Sequence, residues 1–237
     1  MTQVFIGGAS SDIGLALCRQ YLSHGYKVIA HYCNGQPDFF SLVERSSQIT
    51  ALQIDFADPK NLERMIVKNN KIFLATDVIV CAQGLLDPAP FSVITAEAIW
   101  RSMVVNLVPG LLLMRTVVPA MINRGWGRVV HVSSIGVKFG GSKSSFCYAL
   151  SKHATELMPS DHKIWAANDV FVNTLRIGVT DTRIHRRDVN KSMHDRIALI
   201  PCGRMATPEE IAKAIFWYGS EENTFTTGQV VTIAGGE

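Results

Sequence analysis

No two of the five cysteines (Cys18, Cys33, Cys81, Cys147 and Cys202) form a Cys-x-x-Cys pair. Their odd number and wide spacing argue against a disulfide framework and against a thiolate zinc site. An excess of charge is missing too: 23 Lys and Arg face 20 Asp and Glu, and the formal +3 is scattered along the chain. Neither nucleic acid nor a membrane surface is therefore expected as a partner. The seven histidines show no metal-ligand spacing, so no metal is expected. There is no Gly/Pro/Ser-rich linker, no repeat and no low-complexity tract. The most membrane-like stretch, Met103 to Ile122, contains Asn106, Pro109 and Arg115 and reads as a buried helix. No charged leader precedes the strand-like residues from Val4, which makes a reducing cytoplasm the expected address.

What is present is a 237-residue chain with 47% hydrophobic residues, enough for one large core. Short β-rich apolar runs alternate with helical patterns throughout. They cover Gln3 to Ile6, Lys27 to His31, Ala51 to Ile54, Asp77 to Val80, Gly127 to Ser133, Val170 to Leu175 and Val230 to Ile233. Strands this apolar are buried on both faces, which predicts a doubly wound α/β domain: a parallel sheet of about seven strands covered by helices, a single domain over residues 1–237.

Three groups of residues carry chemistry. After the first strand, Gly7-Gly8-Ala9-Ser10-Ser11-Asp12-Ile13-Gly14 leads into an amphipathic helix. Such a turn lets backbone amides at a helix N-terminus approach a pyrophosphate. Asp12 is read as the N-cap of that helix, pointing away from phosphate. Tyr148 and Lys152 are four apart and share a helix face, where an ammonium would lower the phenol pKa and let Tyr148 exchange a proton with a carbonyl. Ser134 ends the fifth strand at the edge where α/β folds bind ligands, and Asn106 is an amide within an apolar helix, readable as a bend device near Pro109. Pro159 should end the regular part of the Tyr148 helix near Glu156.

These motifs, with Gly178-Val179-Thr180-Asp181-Thr182 after the sixth strand, resemble the single-domain branch of the short-chain dehydrogenase/reductase family, and 3-oxoacyl-[acyl-carrier-protein] reductases within it. The likeness covers almost the whole chain. It implies that Tyr148 is the general acid/base, that Ser134 binds the substrate oxygen, that Lys152 tunes Tyr148 and holds the nicotinamide ribose, and that Asn106 anchors a proton-relay water. Its implied cofactor contacts are Gly8, Ser10, Ser11, Asp12, Ile13 and Gly14 in the first turn, with His31, Tyr32 and Asn34 after the second strand. Asp55, Phe56, Cys81, Ala82, Gln83 and Gly84 follow, then Tyr148, Lys152, Gly178 and Thr180.

The sequence departs from the family pattern in places. Asp12 replaces the middle glycine, Cys81-Ala82-Gln83-Gly84 stands where Asn-Asn-Ala-Gly is usual, and Ile177 replaces a proline. The Ser134-to-Tyr148 spacing is one residue longer than usual, which keeps Ser133 as a competitor.

No acidic residue ends the second strand to accept the adenosine ribose, so NADP(H) is favoured over NAD(H), with Ser10, His31 and Asn34 as phosphate neighbours. Residues 179–200 are expected to cover the substrate. Their basic members Arg183, Arg186, Arg187, Lys191 and Arg196, with His185 and His194, outnumber Asp181, Asp188 and Asp195 and would suit an anionic or carrier-bound substrate, the alternative being a solvated helix face. The resulting reading is an NAD(P)-dependent ketoreductase acting as a homodimer or homotetramer. Alternatives are a dehydrogenase of a sugar or polyol-derived hydroxyl and a dinucleotide-binding scaffold without turnover.

Overall fold

The computed structural model describes residues 1–187 and 192–237. Its strands are β1 (Gln3–Gly7), β2 (Lys27–Tyr32), β3 (Ile49–Gln53), β4 (Val78–Cys81), β5 (Gly127–Ser134), β6 (Val170–Ile177) and β7 (Val230–Ile233). They form one parallel sheet in the order β3-β2-β1-β4-β5-β6-β7. The helices are α1 (Asp12–Ser23), α2 (Pro37–Glu44), α3 (Pro59–Lys68), α4 (Asn70–Leu74), α5 (Ala96–Asn106), α6 (Val108–Arg124), α7 (Phe146–Ala154), α8 (His162–Ala166), α9 (Met193–Ala198) and α10 (Pro208–Tyr218). The chain runs outward from β1 to β3, then returns to start β4 on β1's other side. The switch point between β1 and β4 opens a crevice at the carboxyl ends of the strands.

Alternation along the strands divides the core in two. Val4, Ile6, Val28, Ala30, Val78 and Val80 pack with α1 and α10 on one face. Phe5, Ile29, Ile79, Val129 and Val172 pack with α3 and α6 on the other. The inner strands β1, β2, β4, β5 and β6 have buried residues at both parities because both of their faces are covered, whereas the edge strands β3 and β7 keep exposed positions. The apolar stretch from 96 to 124 is long enough to cross a membrane by length and composition. Here it forms α5 and α6, with Leu113, Met114, Val117, Val118 and Met121 buried in the second core. It breaks at Leu107, next to Pro109, which occupies the first turn of α6 where its missing N–H costs no hydrogen bond. The α7 helix ends at Ala154, two residues before Glu156 and well short of Pro159.

Candidate active site

The crevice begins at the first turn. Gly8 has φ +77°, a left-handed conformation that favours glycine, and a Cβ there would come within 2.8 Å of Gln83 Cα. A Cβ on Gly14 would lie 2.1 Å from the Gly8 carbonyl oxygen, so the helix starts close against the turn. Ser11 is the N-cap: its Oγ accepts from Gly14 N at 3.0 Å. This corrects the expectation for Asp12, which is instead the first helical residue and pairs with Arg183. The Asp12 and Ile13 amides have no acceptor among the described residues. A glycine cradle with free amides at a helix N-terminus fits a dinucleotide pyrophosphate.

His31 is placed differently from expectation. It is 3% exposed, accepts from Gly8 N at Nδ1 (3.0 Å), contacts the Ile54 carbonyl through Nε2 (2.9 Å), and stacks on Phe56 at 3.7 Å. With both nitrogens engaged it offers nothing to a phosphate. Its place is beneath the turn, where Nδ1 accepts and Nε2 donates only in the neutral tautomer, and burial lowers its pKa to about 4. Phe56, the other half of the stack, is buried with it. Ser10 and Asn34 do adjoin at the surface, with Ser10 Oγ 3.4 Å from the Asn34 carbonyl. Tyr32 packs on Phe39 and Phe40. Asp55 is exposed and accepts from Ala57 N at 2.8 Å.

Cys81 also corrects the sequence reading. Its thiol is buried against Gly110, and burial pushes its pKa up to about 12, so the side chain belongs to the core rather than the crevice. Ala82 is half-buried on the first core, and Gly84 lies beside the Tyr148 ring and the Lys152 stem. Gly178 is needed by its neighbour Ala234, since a Cβ would approach Ala234 Cα to 2.6 Å. Thr180 is buried and its hydroxyl donates to the Gly178 carbonyl at 3.1 Å.

At the other wall the four candidate catalytic residues converge. Asn106 is 2% exposed. Its Oδ1 accepts from Leu85 N (2.7 Å), while Nδ2 donates to the Leu85 carbonyl (3.1 Å) and to Ser151 Oγ (2.8 Å). The amide therefore straps the loop after β4 to the helix that carries Tyr148, and both Nδ2 hydrogens are spent on that strap; its main-chain carbonyl lies 3.5 Å from Gln83 Nε2. Ser102 joins this network through Ser151, at 3.1 Å. Neither serine stood out in the sequence, where only the helical offset Ser102–Asn106 could have signalled them.

Lys152 Nζ donates to the main-chain carbonyls of Gln83 and Val132, both at 2.8 Å, and lies 5.8 Å from the Tyr148 ring centre. Burial lowers the Lys152 pKa to about 8. The same physics overturns the sequence expectation for Tyr148. Desolvation outweighs the hydrogen bond from Ser134 and raises the phenol to about 12, so Tyr148 holds its proton at neutral pH. Ser133 donates to Glu156 Oε1 (2.6 Å), whose carboxylate is also forked by Arg176, with Nη2 at 2.6 Å from Oε2. That hydroxyl is spent, and Ser134 is the one beside the phenol.

Two ion pairs hold the segment expected to cover the substrate. Arg183 pairs with Asp12 and Arg196 with Glu237, at 2.8 and 2.6 Å. His194 lies beside Asp195. Two of the cations expected to attract an anionic substrate are therefore engaged. Asp188 and Lys191 lie outside the described residues.

A glycine-lined phosphate cradle facing a Ser–Tyr–Lys wall defines the class: a nicotinamide-dependent oxidoreductase on a Rossmann-type sheet. Residues 8–237 match the family model described as enoyl-(acyl carrier protein) reductase, and the chain belongs to the short-chain dehydrogenase/reductase family. It is 27% identical to the acetoacetyl-CoA reductase of Rhizobium meliloti over 98% of this chain and 96% of that protein. Identity to the 3-oxoacyl-[acyl-carrier-protein] reductase of Thermotoga maritima is 29%, over 98% and 95% of the two chains. Among solved structures, a 3-oxoacyl-(acyl-carrier-protein) reductase from Agrobacterium tumefaciens with NADP bound superposes with a TM-score of 0.87 at 25% identity, covering all of this chain and 94% of the other.

Proposed function

We propose that the protein reduces the keto group of a 3-oxoacyl thioester with NADPH. The observation that carries this reading is the pair of hydroxyl donors, Ser134 and a Tyr148 that keeps its proton, beside a buried ammonium. The glycine turn would hold the pyrophosphate of the dinucleotide and Lys152 its nicotinamide ribose, and the nicotinamide would supply the hydride. Ser134 donates a hydrogen bond to the carbonyl oxygen. Tyr148 then gives its proton to the alkoxide as the carbon gains hydride, and Lys152 stabilises the phenolate left behind. Asn106 holds α7 in register with the loop after β4. Although the matched family model is described as an enoyl reductase, the three-residue gap between Tyr148 and Lys152 favours a carbonyl over a carbon–carbon double bond.

Preference for NADP(H) is supported by the absence of a carboxylate at the end of β2 and by the adjoining Ser10 and Asn34. Assembly as a homodimer or homotetramer is supported by Trp100, Leu111 and Leu150, exposed on α5, α6 and α7. A cytoplasmic location is consistent with five free thiols.

The test follows NADPH oxidation by absorbance against 3-oxoacyl thioesters, small ketones and keto-sugars, with NADH in parallel. Turnover on a thioester, reduced about 10³-fold in Tyr148→Phe while NADPH binding persists, is expected. Turnover confined to keto-sugars, or binding without turnover, would overturn the thioester reading in favour of the sugar or scaffold alternative.

A further inference from the structure

The residue that replaces a glycine in the phosphate-binding turn has a partner 171 positions away. Asp12 Oδ2 accepts from the Arg183 main-chain amide at 2.7 Å, and Oδ1 lies 2.8 Å from Arg183 Nε. Arg183 Nη2 also donates to the Ser10 carbonyl at 3.3 Å, so one side chain spans the turn. Arg183 opens the short 3₁₀ helix Arg183–Arg187, at the start of the segment expected to cover the substrate. Both side chains are partly shielded, 37% exposed for Arg183 and 24% for Asp12.

The position of Asp12 creates a conflict. A carboxylate in the first turn of a helix is favourable to that helix, yet it occupies the positive end that a bound pyrophosphate would use. Like charges at such range in a partly shielded site disfavour each other by an amount that matters for affinity. Arg183 removes the conflict by neutralising the carboxylate and placing a guanidinium edge on the turn itself.

We propose that Asp12 and Arg183 form a clasp that fastens the substrate cover to the phosphate-binding turn and, by cancelling the Asp12 charge, sets the affinity for the dinucleotide. This rests on the dinucleotide reading given above. Arg183 acts here as a positioning residue, through Asp12, and the pair makes dinucleotide affinity depend on where the cover lies.

The experiment is a double-mutant cycle read by direct NADPH titration of protein fluorescence. Arg183→Gln, which leaves Asp12 unneutralised, is expected to weaken binding about tenfold. Asp12→Asn in the same background should recover binding to within about threefold of the parent, because the charge that needed cancelling is gone. A double variant as weak as Arg183→Gln, or an unchanged single variant, would overturn the proposal.

Tryptic cleavage between residues 184 and 200, without any cofactor, reads the fastening separately. Asp12→Asn alone should speed it several-fold, and an unchanged rate would overturn the clasp. A parent chain that binds no NADPH would instead defeat the dinucleotide reading and the affinity half of the proposal, leaving the proteolysis to decide the fastening.

Discussion

Two cations lie buried at opposite ends of the same sheet, Arg128 near the start of β5 and Lys152 against its carboxyl end, 1% and 2% exposed. Arg128 is surrounded by compensation. It donates to the carbonyls of Gly127, Asp169 and Asn223, pairs with the Asp169 carboxylate at 3.0 Å, and lies between the Trp126 and Phe171 rings at 4.7 and 4.2 Å. Lys152 has two carbonyls and, among the described residues, no carboxylate within ion-pair distance. Burial costs both cations hydration, but only the arginine recovers it through an opposite charge. The difference separates a cation that secures the closed end of the fold from one left with a weakened hold on its proton next to a phenol.

Removing each cation breaks this comparison in a different currency of measurement. Lys152→Met should lower ketone turnover by about 10²-fold or more, since a phenolate would form with no cation beside it. Its melting temperature should fall less than that of the arginine variant, because no ion pair and no stacking between rings is lost. Arg128→Met should cost about 3 kcal/mol in denaturant unfolding, with turnover per folded molecule unchanged. A large loss of turnover in Arg128→Met, or of stability alone in Lys152→Met, would reverse the assignment.

Protons sharpen the contrast further. Because Lys152 loses its proton near pH 8, turnover should decline above that pH, and a pH profile flat to about 10 would contradict the role given to the ammonium.

An effect confined to acid pH is expected from two buried neutral histidines, His31 and His131. Burial holds His31 and His131 near pKa 4, below their ordinary 6.5, so the unfolded chain binds more protons between those values. Stability should therefore be flat above pH 6.5 and fall as pH drops from 6.5 towards 4, by up to about 3 kcal/mol per histidine. Urea unfolding at stepped pH checks this, and replacing His131 by Gln should make the slope shallower.

Much of the architecture was legible because it depends on local pattern. All seven strands lie within two residues of their expected limits at both ends, since uninterrupted apolar runs bounded by Gly, Asn and Asp have few other uses in a chain of this composition. Tyr148 and Lys152 were legible from helical spacing, and Ser134 from its place at a strand end. What escaped was orientation. Cys81 and His31 sit at strand ends facing the crevice in sequence order, yet their side chains point into the core and under the turn. Whether a strand-end residue faces ligand or core depends on which helix covers it, and Gly110 and Phe56 come from distant segments.

Sequence by itself thus determined the order of elements, the parallel sheet and the identity of the chemical groups, because periodicity and residue type are properties of neighbours along the chain. Only the tertiary structure decided which charges are spent and which remain available. Asp12 became half of a pair with Arg183, Glu156 took up Ser133 and Arg176, and burial pushed the Tyr148 phenol up to about 12 where Lys152 alone would lower it. Desolvation and pairing are set by everything that packs around a group in space, and the contributors here come from strands and loops far apart in the chain.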